Sequence, residues 1–483
     1  MKTDKTKGEK KGLVQMGKNK LRPFGMRDKM GYMFGDFGND FTFILSTTAL
    51  MKFYTDVVGI SAGIVGTIMM IARFVDAFTD ITMGRICDRS KGNANGKFKP
   101  WLLRMCGPVA IASFLMYQGS LANAPQTVKV IYLFITYILW GSVFYTSINI
   151  PFGSMASAIS ADAEDRQSLS TFRTMGGTLA GAFIGIVFPL VAFTEVEGQQ
   201  VLNGNRVTLI AGICSVLAVV CYLVCYMLCT ERVRPEVTED VFKSNSVGKM
   251  LVNAVKNRAL ISIIAASVVM LLAQLTMQNM ASYVFPDYYN NAGAQSVATM
   301  AMIVAMVLAA SVSKPLVKKF GKAEVSIVAS LFAGAVCIVM LVLRPENVWV
   351  YVALQALCWL GLGLFSMVSW ALITDVIDYS EIKNGIREDG SVYALYSFAR
   401  KLGQALASGV AGWLLSAIGY NENAIKEGIT QTPEVLSGIY SISTIVPAVG
   451  FILLGLILWF WYPLKKKTVE NNIKLLKEKH ESE

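Results

Sequence analysis

Histidine is nearly missing from this chain of 483 residues: the only one, His480, lies in a charged segment at the C-terminal end. That excludes a histidine-ligated metal site and a histidine proton relay within the apolar part of the chain. Charge is scarce too. Asp, Glu, Lys and Arg make up 16% of the residues, against roughly 25% in an ordinary soluble domain. The eight cysteines are scattered, most of them inside apolar runs (Cys214, Cys221, Cys225, Cys229, Cys337, Cys358), with no CxxC pair and no metal-ligand spacing. They read as small apolar packing residues. Enzyme signatures are missing as well: there is no H-E-x-x-H, no G-x-S-x-G and no phosphate-binding glycine loop, so neither an enzyme nor a cofactor is expected.

What remains is apolar. Hydrophobic residues make up 54% of the chain and the mean hydropathy is +0.50. They come in runs of about 18 to 25 residues, each long enough to cross roughly 30 Å of hydrocarbon as a helix. The runs predict an all-α membrane protein with spans near 30–56, 62–86, 101–121, 128–151, 171–194, 207–230, 259–286, 296–314, 324–343, 348–376, 393–419 and 437–463. The net charge of +11 does not point to nucleic acid, because the basic residues gather in the first 29 residues and in the loops RICDRSKGNANGKFKP, TERVRPEVTEDVFKSNSVGKMLVNAVKNR and SKPLVKKFGK. The loops near Asp56, Glu195, Asp287 and Asn421 hold few. By the positive-inside rule both termini and the basic loops are cytoplasmic, and the N-terminal stretch can also lie against anionic lipid. The longest basic loop falls at the midpoint. It divides the chain into a tail (1–29), a six-helix bundle (30–230), a middle loop (231–258), a second six-helix bundle (259–463) and a tail (464–483). Such duplicated halves suit alternating access about a central site.

Charges inside the spans need a reason, since each costs at least roughly 2.5–3.5 kcal/mol at a helix centre. Span 1 holds Asp36 and Asp40, span 2 holds Arg73, Asp76 and Asp80, span 5 begins with Arg173, and span 11 holds Arg400 and Lys401. Asp76 and Asp80, spaced i, i+4, share a helix face and repel each other unless a cation or proton sits between them. Na⁺, Li⁺ or H⁺ would relieve that repulsion, with hydroxyl ligands from Thr79 and from Thr146 or Ser147. Simple pairing of Arg73 with Asp76 is the competing reading. Tyr145, Trp370, Tyr393 and Tyr396 suit stacking on sugar rings, although bilayer packing or interfacial anchoring is the commoner role of any one such aromatic. The end of span 10, DVIDYSEIKNGIRED, carries Asp375, Asp378, Glu381 and Arg387. These read either as solvated helix-end charges or as a salt-bridge gate that breaks when the halves rock.

Several segments, in order, carry a family resemblance: FGNDF (37–41), FYTDVVGISAGIVGT (53–67), RFVDAFTDITMG (73–84), GKFKPW (96–101), YTSINIPFGSM (145–155) and YSFARKLGQAL (396–406). They resemble the glycoside–pentoside–hexuronide:cation symporters of the major facilitator superfamily, from about residue 30 to WYPL at 461–464. The resemblance implies a major facilitator fold and cation-coupled sugar transport in a bacterial inner membrane, and a monomer is compatible with it. It makes the loop motif with Gly84, Asp88 and Arg89 a gate-side signature. It implies a cation site at Asp76 and Asp80 with Thr146 close by, sugar contacts from Asp40 and Arg173, and a link between the halves through Lys401. Tyr145, Asn149 and Trp370 complete the candidate substrate set. Departures from the melibiose-type pattern are Asn149 for an acid, Gly153 for a tryptophan, Asn39 for a lysine and Thr79 for an asparagine. They argue against melibiose and for a pentoside or hexuronide. A proton-coupled exporter of drugs or other solutes is the rival reading. The clustered acids and bases favour a polyhydroxylated cargo over the apolar cargo expected of an exporter.

Overall fold

The structure, a computed structural model, describes residues 22–90, 92–93, 95–233, 257–384 and 389–482. The first half contains α1 (Met26–Lys52), α2 (Ala62–Arg89), α3 (Lys99–Leu115), α4 (Gln126–Ile159), α5 (Ala163–Ala192) and α6 (Gly204–Leu228). The second contains α7 (Arg258–Tyr283), α8 (Ala292–Phe320), α9 (Lys322–Leu343), α10 (Val348–Asn384), α11 (Asp389–Ala417) and α12 (Pro433–Leu456). Ten of these helices are long and apolar enough to cross a membrane. The two that fall short, α1 and α11, are the ones that carry Asp36 and Asp40, and Arg400 and Lys401. Low hydropathy here marks helices lining a polar interior rather than helices outside the bundle.

Several helices run beyond their apolar stretch. Asp162 caps α5 by accepting from the amides of Glu164 and Asp165, so the helix starts at Ala163 and not near 171. Its polar first turns are invisible to a hydropathy window. Likewise α8 continues to Phe320 through Lys318 and Lys319, and α10 continues to Asn384. A two-stranded hairpin, β1 (Phe193–Val196) and β2 (Gln199–Leu202), joins α5 to α6. Glu197 and Gly198, both at positive φ, form the tight turn that fits the twist of such a hairpin. The segment expected to be a plain C-terminal tail contains a further helix, α13 (Lys466–Ser482), packed on α10 and α9. The middle loop lies mostly outside the described residues.

Within the first half α1 packs on α5 and α6; within the second α7 packs on α11 and α12, and α10 on α8 and α9. The halves meet along α2–α11 and, less extensively, along α5–α8. These two contacts are equivalents if the second half repeats the first. The α2–α11 contact is close because it is made by glycine: a Cβ on Gly66 would come within 2.8 Å of the Ser408 carbonyl oxygen, an approach only small residues allow. The ends of α1 and α7 meet Tyr420, which lies just past α11, so these ends share one face, called here the far face. The first described residues and α13 lie at the opposite, termini face.

Candidate functional site

Midway along α2, Asp76 and Asp80 face α4. The helix α4 is interrupted at Leu139–Tyr145 by a wider turn with i→i+5 hydrogen bonding, a feature that recurs at functional sites. It brings two hydroxyls to α2: Ser142 Oγ donates to Asp76 Oδ1 at 2.5 Å and Thr146 Oγ1 to Asp80 Oδ1 at 2.9 Å. Two bases complete the cluster. Arg73 Nη1 lies 3.3 Å from Asp76 Oδ2, and Lys401 of α11 pairs with Asp80 Oδ2. Each carboxylate therefore has one hydroxyl and one cationic partner, and the pairing of Arg73 with Asp76 coexists with the carboxylate cluster rather than replacing it. The Thr79 hydroxyl donates to the Asp76 carbonyl in its own helix. Ser142 was not among the sequence candidates, because the wide turn shifts the helical phase that spacing arguments assume.

One helix face away, Arg173 of α5 donates through Nε to Asp36 Oδ1 at 2.8 Å and keeps 38% of its side-chain exposure. Its guanidinium also stacks on Phe152. Asp40 lies beside it; a Cβ on Gly177 would be 2.5 Å from Asp40 Oδ2 and 3.1 Å from Asp36 Oδ2. Among the described residues Asp40 makes no hydrogen bond or ion pair, so its carboxylate is open to a ligand. Gly153 faces Arg173 Nη1 and leaves room beside it. Tyr145 stacks on Phe43 and tilts against Trp140, and Asn149 lies half-buried one turn further along α4. The side chains of Trp370 and Tyr393 lie outside the described residues.

Beyond this charged group, toward the far face, is a cavity of about 270 Å³ lined from both halves. The second half supplies Gln278, Asn279, Gln295, Gln355, Trp359 and Gln404, and the first supplies Phe43, Thr47 and Arg73. Arg73 thus touches both the cavity and Asp76. None of the five amides stood out in the sequence, where a lone Gln or Asn in an apolar run carries no pattern.

The far face is closed above the cavity by a buried ion cluster. Lys52 Nζ contacts Asp56 Oδ2 at 2.8 Å and Asp287 Oδ2 at 2.8 Å, and the lysine side chain is only 2% exposed. The Tyr420 hydroxyl donates to Asp56 Oδ1 at 2.8 Å and lies 3.1 Å from Asp287 Oδ2, while Lys52 also sits over the Tyr283 ring. The cluster ties α1 to α7 and to the segment after α11, and so joins the two halves. At the termini face Asp375 pairs with Lys322 at 2.6 Å, a contact inside the second half. Asp378 lies near the end of α10 and Arg89 is exposed at the end of α2. The Asp88 side chain and Arg387 lie outside the described residues.

The family described as MFS/sugar transport protein matches residues 31–466. An uncharacterized symporter, YjmB, of Bacillus subtilis is 31% identical over 462 residues, covering 94% of this chain and 95% of its own. A glucuronide carrier protein homolog of Escherichia coli is 28% identical, covering 91% and 93%. An isoprimeverose transporter of Lactiplantibacillus pentosus is 30% identical, covering 90% and 88%. Among solved structures, the nucleoside transporter NupG superposes with a TM-score of 0.62 at 13% identity, covering 91% of this chain and all of its own. That likeness concerns the fold alone.

Proposed function

The chain belongs to the MFS/sugar transport protein family, and from that premise we propose that it imports a pentoside or hexuronide by symport with Na⁺, Li⁺ or H⁺. It is a transporter of the cation-coupled glycoside symporter family, not an enzyme. The observation that carries the finer reading is the α2–α4–α11 cluster. Asp76 and Asp80 are two carboxylates within a membrane, and their neutralisation depends on Arg73 and on a lysine lent by the other half. A cation entering between them competes with Lys401 for Asp80. Its binding therefore loosens a contact between the halves, and the coupling ion acts on the element that must move. Asp76, Asp80, Thr146 and Ser142 are the proposed ion ligands, with Thr79 beside them; the ion is cargo, not a resident metal.

For the substrate, Asp40, Arg173, Tyr145, Asn149, Trp370 and Lys401 form the proposed binding set. Arg173 spends Nε on Asp36 and keeps Nη1 toward the space at Gly153, which suits an anionic group such as a uronate. Asn149 adds no negative charge to repel one. The glucuronide carrier homolog and the isoprimeverose transporter among the relatives support both branches. The positive-inside distribution of Lys and Arg puts the termini face in the cytoplasm, with the tails 1–29 and 464–483, the bundles 30–230 and 259–463 and the loop 231–258 as functional divisions. Asp88 and Arg89, with Asp375, Asp378 and Arg387, then serve as the cytoplasmic gate.

The test is uptake into proteoliposomes of labelled xylosides, glucuronides and galactosides under an imposed Na⁺ or H⁺ gradient. Accumulation of a xyloside or glucuronide driven by one ion is the expected outcome. Preference for a galactoside refutes the pentoside or hexuronide class. No gradient-driven accumulation of any glycoside refutes symport and favours the exporter.

A further inference from the structure

The cavity beneath the far-face ion cluster differs in chemistry from the charged group below it. Its lining contains five side-chain amides, Gln278, Asn279, Gln295, Gln355 and Gln404, from four helices of the second half, together with Trp359. Among the described residues no carboxylate lines it. Its one cationic lining side chain, Arg73, is already paired with Asp76. Each amide offers two N–H donors and a carbonyl acceptor, a match for hydroxyl groups, which both donate and accept. An indole beside them supplies an apolar face for the C–H side of a ring.

Two of these amides are deeply buried: Gln295 and Gln355 are each 5% exposed. Gln295 Nε2 donates to Ser282 Oγ at 3.4 Å, and its Oε1 finds no donor among the described residues. A buried acceptor without a partner is costly unless a ligand completes it. An apolar group in the chamber would leave the amides unpaired, and an ionised one would find no free counter-charge. A neutral hydroxyl-bearing ring satisfies them.

Position and size add a second constraint. Ile44 and Gly181 line the chamber, and each lies four residues, one helical turn, beyond Asp40 and Gly177 on α1 and α5. The chamber is therefore adjacent to the charged group, one turn further along both helices. At about 270 Å³ it has room for a sugar ring, and neither Asp40 nor Arg173 lines it, so a ring held there is distinct from one held at the charged group. We infer that the chamber is a subsite for the second, neutral ring of a two-ring glycoside whose first ring lies at Asp40 and Arg173. The natural cargo is then a disaccharide-type glycoside rather than a free sugar. This inference rests on the glycoside reading above.

The experiment compares one-ring and two-ring ligands that share the same non-reducing ring. The pairs are methyl β-xyloside with xylobiose, methyl β-glucuronide with a glucuronosyl disaccharide, and methyl β-galactoside with lactose. Dissociation constants are measured by calorimetry on the purified full-length transporter and on its Gln295→Leu and Gln355→Leu variants. In the series that binds, the two-ring ligand is expected to bind the unmodified protein about tenfold or more tighter. Each Gln→Leu variant is expected to lose about tenfold for the two-ring ligand and to stay within about twofold for the one-ring ligand. Retained one-ring binding also certifies that the variants are folded. Equal affinity for both ligands in the unmodified protein, or equal losses for both in folded variants, overturns the subsite while leaving glycoside transport intact. Failure of every ligand to bind the unmodified protein overturns the glycoside reading itself, and the subsite with it.

Discussion

In the first half the membrane interior holds Asp36, Asp40, Arg73, Asp76, Asp80 and Arg173, whereas the second half faces the cavity with Gln278, Asn279, Gln295, Gln355 and Gln404 and lends Lys401. The two halves have the same helix count and related packing but opposite linings. In the mechanism proposed above, paired charges respond to an arriving cation; neutral amides do not, and instead grip hydroxyls whatever the ion does. A symporter needs both behaviours, and on the proposed reading the ion-responsive charges lie on one side of the interface and the amides on the other. In the proposed mechanism ion and sugar influence each other within the first half, where Asp40 and Arg173 share a bundle with Asp76 and Asp80, and also across that interface. Lys401, which crosses it to Asp80, and Arg73, which borders both the cavity and Asp76, are where coupling across it is expected.

The largest effect is expected from neutralising the first half. Asp80→Asn removes the partner of Lys401 and half of the proposed ion site. Gradient-driven accumulation in proteoliposomes is expected to fall to background, while facilitated equilibration of sugar continues. If Asp80→Asn and Asp76→Asn both still concentrate substrate, the charged cluster is structural and the division of labour is wrong.

Much of this cluster was legible from sequence alone. Aspartates one turn apart in an apolar helix have few innocent explanations, because the bilayer charges several kcal/mol for idle ones. The two-half architecture was legible from the spacing of apolar runs and the basic midpoint loop. The amides were not, since Gln355 or Gln404 taken singly resembles any polar residue in a long helix, and only the packing of α7, α8, α10 and α11 converges them. Nor was the far-face cluster: Lys52 and Asp287 are 235 positions apart, and the loops around them drew notice only for their lack of basic residues.

That far-face cluster carries the next largest expected effect. Lys52 is buried against Asp56 and Asp287, and removing one member of a buried ion pair costs about 3–5 kcal/mol because a charge is stranded. Since the cluster joins the halves only while the far face is shut, Lys52→Met should shift the population toward a far-open state. Thr48 lines the cavity just beneath the cluster. A Thr48→Cys reporter should react with a membrane-impermeant maleimide at least about tenfold faster in the Lys52→Met background. The native cysteines are all buried and give a low baseline. Unchanged labelling would mean that closure of the far face rests on the glycine-lined α2–α11 contact instead.

A smaller effect separates ion binding from sugar binding. Ser142 donates to Asp76 at 2.5 Å, and a hydrogen bond to a charged group contributes about 1.5–3 kcal/mol. Ser142→Ala should weaken activation by the coupling cation roughly tenfold. Sugar affinity at saturating cation should be unchanged, because Ser142 does not line the cavity. An equal drop in sugar affinity at saturating cation would show the two regions to be a single site.

The least effect is expected where two threonines on facing helices are easily confused. Thr79 lies in α2 between Asp76 and Asp80, and Thr146 lies across from it in α4. The hydroxyl of Thr146 reaches the Asp80 carboxylate at 2.9 Å, whereas that of Thr79 is spent on the Asp76 carbonyl of its own helix. A threonine bonded back to its helix contributes little to a neighbouring site and little to the helix itself. Thr79→Ala is therefore expected to change cation activation by less than about twofold, against roughly tenfold for Thr146→Ala, with both read from sugar uptake as a function of cation concentration. If the two effects are reversed, ion binding turns the Thr79 hydroxyl away from the backbone and the ion sits on the α2 side of the carboxylates. If they are equal, both hydroxyls coordinate it and the site bridges α2 and α4, so that cation binding would brace the first half from within before Lys401 of the second half lets go.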